Sequence, residues 1–510
     1  MRRFLTVAAV LTLGVAVIAA TASARNPGGR DFGDAVFSAG VSGKDGGAAR
    51  AFGPATLALD ALTRVSDDSG VTIPLLPEEL GTSGTVFLDS QTEPWVDVNP
   101  ANSQNLVGMW QEERWSTGGA RNLVFGTSLD GGATWRNIAL QGVGIVAGGE
   151  FQRVTDPWVD FGPSNRVYGT SLAFDDTGPD NAIFVHTSTD GGQTWGRPVQ
   201  VVKDTDIAFF NDRQSLTVDD FPASPFYGRV YVGWDRLASK GPGYAYTGDG
   251  LVAYSANGGA TFSAPIVAVP TGNNEQTLTN LPVVLPDGTV LDVGTYYPNQ
   301  AFNKNAGLFF VTRSTDGGAT WGPVTFPEAQ RPVGVPGIRS GDGVPNATVD
   351  RRNGTIYAVW QDSRFSKGKR DDVLLIRSTN QGRTWSAPIK VNDTPAGAQA
   401  AFLPTVKVDA NGRVGVLYYD LRNDTNPRDG SFITTEWMTF STDGGRSFGT
   451  SQRLSPDFDH AAAAFAGGFF LGDYQGLGVS GTTFTPFFGA TLAAQANGQV
   501  GSDIFATTAD

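Results

Sequence analysis

An eight-residue pattern, Ser-x-Asp-x-Gly-x-Thr-Trp, constrains this 510-residue chain more than any other feature. Its copies begin at Ser128 (SLDGGATW), Ser188 (STDGGQTW), Ser255 (SANGGATF), Ser314 (STDGGATW), Ser378 (STNQGRTW) and Ser441 (STDGGRSF). Their third positions, Asp130, Asp190, Asn257, Asp316, Asn380 and Asp443, lie 59 to 67 residues apart. A repeat of that period means that one supersecondary unit is used many times.

Each copy reads as a tight turn between two strands. Apolar, β-prone runs precede it, such as Leu123-Val-Phe125 and Leu308-Phe-Phe-Val311. The Asp or Asn side chain can accept bonds from backbone N–H groups of the turn, and Gly takes positive φ without strain. Asn257 and Asn380 keep the acceptor oxygen and lose the charge, whereas Phe262 and Phe448 keep the ring and lose the indole N–H. The pattern is therefore a hydrogen-bonded, ring-plugged hairpin and neither a metal site nor a catalytic one.

A second repeat lies between the boxes. It reads Glu93-Pro-Trp-Val-Asp-Val98 with Leu106-Val-Gly-Met-Trp110, then Asp156-Pro-Trp-Val-Asp-Phe161 with Arg166-Val-Tyr-Gly-Thr170. Further copies start at Ser215, Leu281, Pro345, Pro404 and Asp473. Two strands before each box strand and one after it make four short antiparallel strands per unit. Radial repetition of such units predicts an all-β fold, a β-propeller of seven blades, with six as the alternative. Residues 502–510 align with a strand entering a box, and Ser66-Asp-Asp-Ser-Gly-Val-Thr-Ile73 matches the box pattern with Ile for Trp. The segment around Val71–Leu88 is thus expected to return and complete the last blade, closing the ring with an N-terminal strand.

Arg2, Arg3, the apolar run from Phe4 to Ala20 and the small residues Ala22-Ser-Ala24 read as a secretory signal over 1–24, with export to the cell exterior or periplasm. Residues 25–65 form a Gly/Ala-rich, loosely ordered lead-in, and 66–510 one domain. No other segment is long and apolar enough to span a bilayer, so no membrane insertion is expected after signal cleavage. The chain has no cysteine, so an exported form relies on core packing. Loss of Arg2 and Arg3 leaves 35 basic against 50 acidic residues. That excess argues against nucleic acid and anionic membranes as partners.

The boxes resemble the Asp-box, or bacterial neuraminidase repeat, of sialidases and related propellers, and the resemblance covers nearly the whole chain after residue 65. It implies a propeller that acts on or binds extracellular glycans, as a glycoside hydrolase if catalytic, or as a non-catalytic binding propeller at the cell surface. The stretch from Val344 to Arg364 resembles the first sialidase blade, with Asp362 and Arg364 matching an acid-then-Arg pair. It departs from that blade in two places. Gly343 stands where the family's leading Arg is expected, and spacing puts Lys367 where its catalytic Asp belongs, with Asp371 and Asp372 the nearest carboxylates. The resemblance implies a chemistry of arginines clamping a substrate carboxylate, an acid that protonates the leaving oxygen and a Tyr with a carboxylate beside it.

A propeller's pocket lies where the innermost strands start and where loops follow the second strands. Glu93, Asp156, Arg213, Asp342 and Asp473 stand at the first kind of position; Glu112-Glu-Arg114, Asp235-Arg236, Asp362 with Arg364, and Asp420 with Arg422 stand at the second. The candidate acids or bases are Glu93, Asp156 and Asp362, and the candidate nucleophiles or stacking platforms Tyr297 and Tyr419. Arg213, Arg364 and Arg422 are the candidate anion-binding groups. Repeated Asp-x-Arg pairs can equally bridge neighbouring blades. His186 reads as structural, and two His without Cys argue against a transition-metal site. No cofactor is expected; Asp219-Asp220 and Asp371-Asp372 are weak Ca2+ candidates. The expected partner is a glycan or glycoconjugate, taken up by a monomer.

Overall fold

The computed structural model describes residues 62–67, 74–239, 246–298, 307–426, 428–491 and 501–510. The expected signal segment, the lead-in up to residue 61 and residues 68–73 of the N-terminal box candidate lie outside them.

The fold is all-β. Antiparallel strands follow one another in sets of four. Gln91–Val98, Leu106–Arg114, Ala120–Ser128 and Arg136–Ala139 pair in that order. Arg153–Phe161, Val167–Phe174, Asn181–Ser188 and Val199–Asp204 repeat the order. So do Phe209–Val218, Val230–Ser239, Tyr246–Ser255 and Ile266–Val269. Glu275–Val284, Val290–Tyr297, Leu308–Ser314 and Thr325–Ala329 follow. Next come Asn346–Val349, Ile356–Asp362, Asp372–Ser378 and Ile389–Lys390, then Ala401–Val408, Val414–Asp420, Ile433–Ser441 and Gln452–Arg453. Gly476–Ser480, Thr483–Thr491 and Ser502–Ala506 form the last set, and its fourth strand is Thr63–Arg64.

That last pairing corrects the expectation for the N-terminal segment. The strand that joins Phe505 and Ala506 is Thr63–Arg64, upstream of Val71–Leu88, whereas Pro77–Leu80 is a helical turn. The reason lies in side chains. Arg64 pairs with Asp503 (Nε to Oδ2, 2.6 Å), the Ser66 hydroxyl accepts from Ile504 N at 2.9 Å, and Val65 is buried with Phe487 and Ile504. The later segment instead starts a helix at Pro77, where the missing N–H costs nothing.

Successive sets pack face to face, so Leu106–Arg114 and Ala120–Ser128 are buried along their whole length. Glycine in the second strands permits the close approach. A Cβ on Gly108 would lie 2.4 Å from the Phe487 ring, and one on Gly169 2.5 Å from Phe125. Each first strand contacts the first strand of the next set, and Gly476–Ser480 contacts Gln91–Val98.

The box turns hold as hydrogen-bonded hairpins. In the box at Ser128, Ser128 Oγ donates to Asp130 Oδ1 (2.8 Å), Thr134 N to the same oxygen (2.9 Å) and Thr134 Oγ1 to Asp130 Oδ2 (2.6 Å). Asn257 and Asn380 reverse one bond: their Nδ2 donates to Thr261 and Thr384 Oγ1 at 2.8 Å. The turns also latch onto the preceding set. Asn105 Nδ2 donates to Gly191 O (2.9 Å), Thr127 Oγ1 to Gly192 O (2.7 Å) and Arg377 Nη1 to Gly444 O (2.8 Å). Trp195 stacks on Phe125 of that set, with ring centroids 3.7 Å apart.

Candidate functional site

Five of the seven first strands share a defect near their start. Glu93, Asp156, Arg213, Thr279 and Leu403 all have φ between 51° and 63°, in the left-handed region. At each of them the pairing with the second strand skips register, between Thr92 and Trp95, Thr155 and Trp158, Asp212 and Ser215, Leu278 and Leu281, and Phe402 and Thr405. A bulge of this kind re-aims a side chain, and a left-handed non-glycine residue costs on the order of 1–3 kcal/mol, strain found mostly where a structure needs it.

The bulges bring four of the sequence candidates together. Arg213 Nη2 is paired with Asp473 Oδ2, and Arg213 N donates to Asp156 Oδ2 at 3.0 Å. Glu93 accepts from Gln111 Nε2, which also reaches Thr155 Oγ1 (2.7 Å), and Thr155 Oγ1 in turn donates to Asp156 Oδ1 (2.9 Å). Burial, reinforced by Asp156 and Asp473, pushes the Glu93 carboxyl up to about 8, so it is protonated at neutral pH. Burial also acts to raise Asp473, but Arg213 and Arg339 outweigh it and hold that carboxyl at about 2.

Two members of the cluster escaped the sequence reading. Arg339 donates from Nε to Asp473 Oδ1 at 3.0 Å and from Nη2 to Oδ2. It sits in a connection without a repeat, so nothing in the pattern marked it. Tyr474 lies beside Glu93 and Asp156, its hydroxyl donates to Pro157 O at 3.1 Å, and burial raises that hydroxyl well above its usual range. The alignment of Asp473 with Glu93 and Asp156 was the signal that could have found it, because Tyr474 stands where Pro94 and Pro157 stand. Beneath it Trp95 and Trp158 stack with centroids 3.5 Å apart.

The remaining candidates are held by other partners, with Tyr297 still within electrostatic reach of Arg213. Tyr297 is buried beside Asp342, and a Cβ on Gly343 would lie 2.2 Å from its hydroxyl. Tyr419 is buried, and its hydroxyl donates to Gly489 O at 2.6 Å. Arg364 pairs with Asp362 on its own strand end (2.8 Å) and with Glu328 on the outer strand of the preceding set (3.0 Å). Arg422 repeats this with Asp420 (2.8 Å) and Asp393 (2.9 Å), and Arg236 reaches Asp204 of the preceding set (2.5 Å). These arginines staple adjacent sets. His186 bonds Ser171 Oγ at 3.0 Å, and burial pushes its imidazole down to about 3. The acidic doublets are spent on protein partners: Asp220 on Arg351, Asp219 on Ser224, Asp371 on the N–H groups of Val333 and Gly334, and Asp372 on Lys390.

Space and chemistry lie at opposite ends of the first strands. The cavity against Arg213, Asp473, Tyr474 and Thr279 holds about 20 Å3, room for about one water. A cavity of about 310 Å3 opens toward the other end, between Asp97, Asp160, Lys407, Thr217 and Thr348, with Trp95 and Trp158 between the two. Asp97 Oδ2 accepts from Phe161 N (2.8 Å) and Asp160 Oδ2 from Val218 N (2.7 Å), so each carboxylate binds the next set's backbone.

Comparison with known proteins adds one sequence relative. It is a sialidase. The protein, from Bacteroides fragilis, is 28% identical over 155 residues, which is 27% of this chain and 28% of the relative's own length. The chain thus matches under a third of that protein. No family model matches. Among solved structures, a Hadza microbial sialidase aligns with a TM-score of 0.44 at 16% identity, over 81% of this chain and 74% of its own. An ulvan lyase bound to a glucuronate–sulfated rhamnose unit aligns with a TM-score of 0.47 at 10% identity, over 84% and 98%. An α-L-arabinanase of Penicillium chrysogenum aligns with a TM-score of 0.44 at 13% identity, over 66% and 93%.

Proposed function

We propose that this chain is an exported, seven-bladed β-propeller that acts on an extracellular glycan with the cluster at the start of its first strands. The cyclic contacts among first strands, with Thr63–Arg64 supplying the outermost strand of the last set, support seven blades in a closed ring. The convergence of Glu93, Asp156, Arg213, Arg339, Asp473 and Tyr474 supports the glycan reading and is the observation that carries it.

Hydrolysis of a glycosidic bond needs a proton donor and a group that stabilises or attacks the sugar's developing positive charge. Glu93, kept protonated by burial and by Asp156, is the donor. Tyr474, with Asp156 beside it, is the nucleophile: Asp156 takes the phenol's proton as its oxygen bonds the anomeric carbon, the glycosidic bond breaks with its oxygen protonated by Glu93, and water then releases the sugar from Tyr474. The test is turnover of a panel of sialosides, arabinans and uronic-acid polysaccharides. Glu93→Gln and Tyr474→Phe should each remove turnover while leaving the fold intact. Turnover that survives both substitutions refutes these assignments.

The second reading, a non-catalytic glycan-binding propeller, is favoured by the size of the small cavity and by arginines already engaged with Asp473. Saturable glycan binding by the wild-type chain, with no product from any member of the panel, decides for it.

A further inference from the structure

Two buried guanidiniums from different strand sets converge on one buried carboxylate, a donor arrangement that suits a bound carboxylate. Arg339 presents Nε and Nη2 to the two oxygens of Asp473, the fork geometry that guanidinium uses for carboxylates. Arg213 comes to the same Oδ2 from a different set, at its bulge. Asp473 is fully buried, and the arginines are 8% and 2% exposed. The Arg339 guanidinium is fixed further by lying 4.3 Å above the Phe470 ring, which the Arg114 guanidinium also covers at 4.8 Å. Asp473 belongs to the same connection as Phe470, so the chain that forms the clamp's wall also supplies its occupant.

We propose that Arg213 and Arg339 form a carboxylate-binding clamp that the protein fills with its own Asp473, and that this self-occupancy excludes anionic sugars from this end of the first strands. Glu93 and Asp156 crowd the same place. A second anion would meet one ionised carboxylate already on the guanidiniums and a void of about 20 Å3. The clamp's occupant thereby sets the charge of what can enter, independently of whether the chain turns a glycan over.

The experiment removes the occupant and offers a replacement. Asp473→Ala leaves the two guanidiniums around a hole of carboxylate size. Its thermal midpoint should fall below wild type in sodium chloride and rise saturably as formate replaces chloride at constant ionic strength. The wild-type protein should show no gain from formate or from free glucuronate. A variant that gains nothing from formate overturns the proposal, as does a wild-type chain stabilised by either anion. If Asp473→Ala does not accumulate in folded form, its refolding yield from denaturant is compared in formate and in chloride, and equal yields overturn the proposal. Neither arm uses glycan turnover, so failure here is distinguishable from failure of the functional reading.

Discussion

Arg364 grips Asp362 with two parallel bonds, Nε to Oδ1 at 2.8 Å and Nη2 to Oδ2 at 2.9 Å. Asp362 ends its strand and Arg364 opens the 3-10 turn that follows, where its own N–H also donates to Asp362 Oδ1 at 2.9 Å, so the turn folds the two side chains together. Asp362 is fully buried and also accepts from Arg331 N at 3.0 Å and Trp360 Nε1 at 3.2 Å. Arg364→Ala should cost about 2 kcal/mol in urea unfolding, the loss of charged hydrogen bonds to a buried group. Arg364→Lys should recover little of it, because an ammonium lacks the fork. Glycan binding by either variant should match wild type at temperatures where both are folded.

The buried carboxyls make stability pH-dependent. Burial pushes Glu93 and Glu112 up to about 8 and Asp235 and Asp371 to about 7. In each case the folded state holds a proton that the unfolded chain releases near pH 4. Their stabilising effect is complete below that pH and is lost as pH rises toward 7 or 8. His186 and His460, held near 3 by burial, act in the opposite sense below their usual 6.5. The carboxyls outnumber them, so the melting temperature should be higher at pH 5 than at pH 8. Equal values at the two pH values contradict this account.

Asp292 isolates the same effect at one position. It is fully buried, neither oxygen has a hydrogen-bond partner, and burial raises it well above the usual carboxylate range. Asp292→Asn, of the same shape and never charged, should be more stable than wild type at pH 8 by an amount that shrinks toward pH 5. The expected slope is about 1.4 kcal/mol per pH unit between the unfolded and folded values. Guanidinium titrations at the two pH values measure it.

The box turns predict a contrast between two substitutions at one site. Asp316 takes the Ser314 hydroxyl (2.7 Å), Thr320 N (2.9 Å) and Thr320 Oγ1 (2.6 Å). Asn257 and Asn380 already serve the same turn. Asp316→Asn should therefore be close to neutral, whereas Asp316→Ala should lose about 1 kcal/mol. Both are read by thermal unfolding.

A chain starting at residue 74 should melt well below one starting at residue 62. It loses the Arg64–Asp503 pair, the Ser66 bonds and the buried Val65 side chain, and it leaves Ser502–Ala506 as an unpaired edge.

The strand sets were legible in the sequence because the box recurs every 59 to 67 residues with an apolar first-strand motif between copies, and a periodic signal survives local variation. The cluster was legible only in part. Glu93, Asp156, Arg213 and Asp473 stand at equivalent positions of that repeat, so alignment alone finds them. Arg339 stands in a connection outside the repeat, and its partner is more than a hundred residues away. Asp362-x-Arg364 and Asp420-x-Arg422 carried a double meaning. The same spacing serves a pocket or a staple, and only the position of Glu328 and Asp393 on the preceding sets separates the two.

The bulges at the start of the first strands have a consequence for how such a protein can change. Glu, Asp, Arg, Thr and Leu all occupy the same left-handed position. The kink is thus a property of main-chain pairing and not of any one side chain. A strand start built this way can be re-lettered one residue at a time, its charge or shape altered by single substitutions, while the path of the backbone that carries them stays where it is.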